Sequence, residues 1–136
     1  MSNLDIAYKF AQGATKGKGS NVFIEGDTIY SYGYHFPMAT RTAAGFLVTY
    51  RKYSSSTARH LSYVRRAIPD VALEVYKPTE GVQLEDIEYH KEQAAIATAK
   101  QLKARSEWSI ANWQREANHH TNQVALCKKA LKAKQN

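Results

Sequence analysis

The sequence predicts an α+β protein: a small antiparallel sheet packed on one helix, followed by a long helical C-terminal segment. Short β-prone runs separated by turn residues occupy positions 21–53. An apolar stripe at helical period, Thr57, Leu61, Val64 and Ile68, comes next. Finally, from about Leu84 to Lys132 there is neither Pro nor Gly, and Ala, Lys, Gln and Glu dominate.

Residues 3–11 suit a short helix with Leu4, Tyr8 and Ala11 near one side, and GATKGKGS (Gly13–Ser20) reads as a flexible linker. Asn21–Glu25 and Thr28–Tyr34 are β-prone runs around a Gly26-Asp27 turn, a hairpin signal. Alternation would put Tyr30, Tyr32 and Tyr34 on one face and Ile29, Ser31 and Gly33 on the other. Pro37 lacks an N–H, which makes His35–Arg41 an edge strand or a bend. After a turn at Thr42–Gly45, Phe46–Tyr53 is a further strand. A helix follows over about Ser56–Ile68, ended by Pro69, and 71–76 suits one more strand.

The break at Pro78–Gly81 opens the helical region. Its acids come first and its lysines last, complementing the helix dipole. A narrow stripe through Leu84, Ile87, Ala94, Thr98, Leu102, Ser109, Trp113, His120, Val124, Cys127 and Leu131 suits one helix of roughly 70 Å or two helices folded back. Candidate breaks are Arg105–Ser109 and Asn118–Thr121. The expected organisation is an N-terminal segment and linker over 1–20, a basic β-rich module over 21–77 and a helical region over 82–136.

A length of 136 residues suits one ordinary domain with an appendage. The single cysteine, Cys127, excludes an intrachain disulfide and fits a reducing compartment. No apolar run approaches the roughly 20 residues that span a bilayer. The start, MSNLDIAYKFAQG, lacks the basic and apolar blocks of a signal peptide. The expectation is a cytoplasmic protein.

The net charge of +7 is segregated. Thr28–Pro69 has no Asp or Glu and carries Arg41, Arg51, Lys52, Arg59, Arg65 and Arg66, a charge of +6. Positions 70–92 carry −5 and positions 93–136 carry +6, while 1–27 balance. Such blocks predict a basic face.

Two stretches, NVFIEGDTIYSYGYHFPMATR and YRKYSSSTARHLSYVRRAI, carry the words EGDTIYSYG, HFP and YS…T…RH. In them the chain resembles a family of small phage-encoded proteins, over about residues 21–68. The resemblance implies a bacteriophage origin, hence the cytoplasm of an infected bacterium. It carries over no activity and no catalytic residue.

The stretch RKYSSSTARH is the leading candidate site. A helix N-terminus accepts anions through its free N–H groups. Ser54, Ser55, Ser56 and Thr57 add hydroxyls there, and Arg51, Lys52, Arg59 and His60 add charge. The plainer reading is that Ser55 or Ser56 is an N-cap worth about 1 kcal/mol; the two are compatible. Tyr34, Tyr53 and Tyr63, mixed with basic residues, are candidates for stacking bases, whereas Tyr30 and Tyr50 suit a packed sheet.

Histidines do not group. His35 and His60 fall in the basic module, His90 stands alone, and the adjacent His119 and His120 point about 100° apart on a helix. No zinc spacing, nucleotide-binding glycine loop or nucleophile motif is present, so neither metal, cofactor nor catalysis is expected.

The expected function is therefore non-enzymatic binding of nucleic acid, DNA or RNA, largely independent of sequence. Its surface would be Arg41, Arg51, Lys52, Tyr53, Ser54, Ser55, Ser56, Thr57, Arg59, His60, Tyr63, Arg65 and Arg66. Lys100, Lys103, Arg105, Lys128, Lys129 and Lys132 would extend that surface if the C-terminal helix folds back. The rivals are an inhibitor or adaptor of a host protein, for example a defence protein, and a nucleotide-sequestering protein. The C-terminal helices would serve as a homo-oligomerisation arm.

Overall fold

The computed structural model describes residues 1–43, 45–69 and 72–135. Ala44 within the expected turn, Asp70, Val71 at the head of the expected strand 71–76, and Asn136 lie outside the described residues. The chain forms two compact units, Met1–Gly81 and Val82–Asn136.

The first unit is built on a six-stranded sheet in sequence order. Its strands are β1 (Lys16–Lys18), β2 (Val22–Glu25), β3 (Thr28–Ser31), β4 (Pro37–Thr42), β5 (Gly45–Thr49) and β6 (Leu73–Val75). Neighbours from β1 to β5 are antiparallel, and β6 runs parallel to β5. The α+β class holds, but the sheet is mixed. The parallel step follows from the connection: α2 (Ser55–Ala67) carries the chain back along the sheet between β5 and β6.

Gly13–Ser20 is not a free linker. Lys16–Lys18 pairs with β2, Lys16 opposite Glu25 and Lys18 opposite Phe23. Pro37 is not in an edge strand either, since β4 lies between β3 and β5. Its missing N–H is accommodated at the first residue of the strand, where the β3–β4 register shifts between Ile29 and Tyr30. The hairpin at Gly26-Asp27 is as expected, with Gly26 at φ 64° supplying the left-handed first turn position.

Two helices, not one, cover the inner face. In α1 (Asn3–Ala11) the Ser2 hydroxyl and the Asp5 carboxylate cap each other's backbone N–H. The helix buries Ile6, Ala7 and Phe10. From α2 come Val64 and Ile68, with Leu61 partly buried beside them. Against these lie Val22, Ile24, Ile29, Ala39 and Val48, alternate residues of successive strands. The N-terminal segment is thus part of the β-rich module.

The second unit is a helical hairpin of α3 (Leu84–Lys103) and α4 (Glu107–Gln135). The chain breaks at Ala104–Ser106, where the Ser106 hydroxyl accepts the Ser109 N–H at 3.1 Å, near the first expected break. Gln101 meets Gln114 close to the turn and His90 meets His120 farther away, so the helices run antiparallel. The seam is Ile87, His90 and Ala97 on α3 with Ala117, His120, Gln123 and Cys127 on α4. Leu102, expected in the stripe, is 84% exposed; Ala97 and Gln101 take the inward positions instead. Among the described residues no helix is long and apolar enough to cross a membrane.

Candidate functional site

The strand expected over Phe46–Tyr53 stops at Thr49, and the chain from Tyr50 to Ser54 forms a loop over the start of α2. Ser54 is the N-cap. Its hydroxyl accepts the Thr57 N–H at 3.1 Å and donates to Thr57 Oγ1 at 3.1 Å. The cap therefore uses one serine of the hydroxyl run. Ser55 is exposed at the first helical position, Ser56 is half-buried, and α2 has no acid in its first turn.

Between this loop and α2 lies an open groove of about 530 Å³. Arg51, Lys52, Tyr53, Ser54 and Ser55 line one wall, and Ala58, Leu61, Ser62 and Arg65 form the helix side. Among the described residues no carboxylate lines it. Arg51 is held in place, its guanidinium 5.0 Å from the Phe36 ring and 5.1 Å from the Tyr76 ring. Arg65 reaches Glu74 Oε1 at 3.5 Å and the Thr49 carbonyl at 3.4 Å. Lys52 is exposed and has no ion-pair partner among the described residues. Three cations and three serine hydroxyls thus share one concave surface.

The remaining candidates separate. Thr57 and His60 are buried, 1% and 4% exposed, and do not face the groove as phosphate ligands. His60 Nδ1 is 2.8 Å from the Ser31 hydroxyl, which is 3.4 Å from Thr57 Oγ1. On its other side His60 Nε2 lies 3.5 Å from Asn3 Nδ2. Asn3 Oδ1 accepts the Asn21 N–H at 3.1 Å, so the amide must turn its NH₂ towards His60. Nε2 is then an acceptor, and Nδ1 carries the proton donated to Ser31. The imidazole is neutral. Its pKa is held below the usual histidine value by burial first and by the Arg59 charge second.

Arg41 is also structural rather than a phosphate ligand. Its side chain is 15% exposed and donates to the carbonyls of Phe10 and Ala14 at 2.8 Å and of Gly26 at 2.7 Å. Tyr63 packs against the core. Arg59 and Arg66 are exposed on α2 outside the groove lining, with no ion-pair partner among the described residues.

The tyrosine run also departs from simple alternation. Tyr30 stacks on Phe23 with centroids 5.0 Å apart, and Tyr34 stands edge-on to both. Tyr32 leaves this face: β3 ends at Ser31 and Tyr32 takes φ 66°. Tyr34 donates to Glu25, and that hydrogen bond, more than its surroundings, raises the Tyr34 pKa.

In the second unit the two lysine groups do not merge. Lys100 lies over Trp113 near the turn, while Lys128 and Lys132 border Leu84, Glu88 and Lys91 at the open end. About 15 residues of helix, roughly 22 Å, separate them. Missed in the sequence was the pairing of His90 with His120, Nδ1 to Nδ1 at 2.8 Å and buried. The signal was present, since Ile87, His90, Ala94 and Ala97 share one helical stripe.

No family model, curated protein or solved structure matches the chain.

Proposed function

We propose that this is a non-enzymatic, phage-encoded protein that binds nucleic acid through the groove between the 50–54 loop and α2. The observation that carries the reading is the groove's composition: Arg51, Lys52 and Arg65 with Ser54, Ser55 and Ser62, and no carboxylate among its described lining residues. Ser54 and Ser62 donate their protons to Thr57 Oγ1 and the Arg59 carbonyl, so the three cations and the Ser55 hydroxyl are the groups that suit phosphate oxygens. They contact backbone rather than base edges, so binding is largely independent of sequence. The exposed Arg59 and Arg66 on the same helix add long-range attraction. The resemblance over residues 21–68 supports the phage origin, and the cytoplasm of the infected bacterium is the compartment that goes with it.

The groove's volume of about 530 Å³ also suits a single small phosphate ligand, which favours nucleotide capture as the second reading. Salt-dependent titration separates the two. Three phosphate contacts give a slope of about −2 to −3 in log affinity against log salt for labelled DNA or RNA. Lys52→Glu with Ser55→Glu should abolish binding while preserving the fold, because Lys52 has no partner to lose and an acid suits the first helical turn. Absence of nucleic-acid binding at low salt, with saturation by a mononucleotide instead, would replace the first reading by the second.

A further inference from the structure

A second groove, of about 520 Å³, lies where β1, β2 and the end of β3 meet. Gly17, Lys18, Phe23, Ile24, Tyr32 and Tyr34 line it. Tyr32 is 50% exposed and Tyr34 is 66% exposed. Neither ring is loose. Tyr34 is braced by Phe23, Tyr30 and its hydrogen bond to Glu25. Tyr32 has its backbone held in place and its ring 5.3 Å from that of His60.

That backbone is the unusual feature. Tyr32 is the one non-glycine residue at positive φ among the described residues. The Gly33 N–H donates to the Ser31 carbonyl at 2.8 Å, closing a three-residue turn around Tyr32, whose own N–H donates to the Asn21 carbonyl at 2.7 Å. Glycine would adopt this conformation without strain. A tyrosine here keeps half its surface in water, with its ring 5.3 Å from His60. Burial offsets little of the strain, and such strain concentrates where a side chain is held ready for a ligand. Lys18, exposed beside the two rings, has no ion-pair partner among the described residues.

We propose that this groove takes one unpaired base of a single-stranded nucleic acid, its ring against Tyr32 and Tyr34 and its phosphate on Lys18. The inference rests on the nucleic-acid reading above and narrows its substrate class from nucleic acid in general to a single strand. Braced aromatics bind planar rings at low ordering cost. In a duplex the base faces are already stacked and out of reach, whereas a single strand offers them. A phosphate close to the base is what Lys18 complements; no carboxylate is among the described lining residues, and the nearby Glu25 carboxylate is bonded to the Tyr34 hydroxyl.

The test uses the full chain with a labelled mixed-sequence single strand and the matching duplex, read by fluorescence anisotropy. The variants are Tyr32→Gly and Lys18→Gln, with thermal melts to verify folding. Tyr32→Gly relieves the strained φ, so the fold should persist. It should weaken single-strand binding by about five- to a hundredfold, the range for one lost stacked base, and leave duplex binding unchanged. Lys18→Gln should weaken single-strand binding and flatten its salt dependence. Equal affinity of Tyr32→Gly and wild type for the single strand, or a parallel loss for both probes, would overturn the inference. These outcomes leave the first groove standing if Lys52→Glu/Ser55→Glu still abolishes binding. Conversely, single-strand binding lost in Tyr32→Gly but retained in Lys52→Glu/Ser55→Glu would support this site and remove the first. A wild-type chain that binds neither probe would overturn both.

Discussion

The His60 imidazole and the Ser31 hydroxyl, 2.8 Å apart and both buried, join α2 to β3. A neutral ring suits the second contact of His60, because Asn3 presents a donor to Nε2. His60 therefore titrates in the folded chain below the value near 6.5 expected when unfolded. Between those two values the unfolded chain binds more protons, so acid favours unfolding. The His60 contribution should be fully present above about pH 6.5 and decline as pH falls through the folded pKa. Thermal melts across this window should show wild type losing more stability on acidification than His60→Gln. Parallel profiles for the two proteins would count against a neutral, buried His60.

Arg41 joins three segments through three carbonyls, at the end of α1, before β1 and in the β2–β3 turn. A lysine cannot reproduce this planar fork. Arg41→Lys should cost about 2–4 kcal/mol in urea unfolding, since charged hydrogen bonds at half-buried carbonyls are lost. Nucleic-acid affinity of the folded fraction should stay unchanged. If Arg41→Lys instead weakened binding without loss of stability, Arg41 would belong to the interface.

His90 and His120 hold the hairpin of α3 and α4 by a buried nitrogen–nitrogen hydrogen bond. One ring must donate and the other accept. His90→Leu should cost about 1–3 kcal/mol, because the remaining imidazole loses that partner. His90→Leu combined with His120→Leu should cost less than the two single changes together. Strict additivity in this cycle, followed by loss of helical circular dichroism, would mean that the rings do not couple.

Much of the first unit was legible because its signals are local. The stripe Thr57, Leu61, Val64 and Ile68 with Pro69 behind it defines α2, and Gly26 marks the first hairpin. The same stripe holds His60 three residues after Thr57 and four before Val64, so its burial was readable. Classing it with the cations around it obscured this. Other features depend on distant partners. The strand Lys16–Lys18 has no side-chain pattern of its own and exists because β2 offers a backbone edge. The parallel pairing of Leu47 with Leu73 requires α2 to be in place between them. Tyr32 carries no local code for positive φ, and the roles of Arg41 emerge only when three segments meet. In the candidate site, the loop cations and serines were legible as a cluster, while their division between groove, cap and core was not.

The placement of β1 also guards the sheet's margin. An open strand edge is a template on which another chain can pair, extending the sheet from molecule to molecule. Here that margin is three residues long, and two of them are exposed lysines, Lys16 and Lys18. A second copy approaching edge-on would bring like charges together before it could form more than a few backbone bonds. The glycine- and lysine-rich strand therefore acts as a charged selvedge on this edge of the sheet, disfavouring edge-to-edge pairing between copies of the chain.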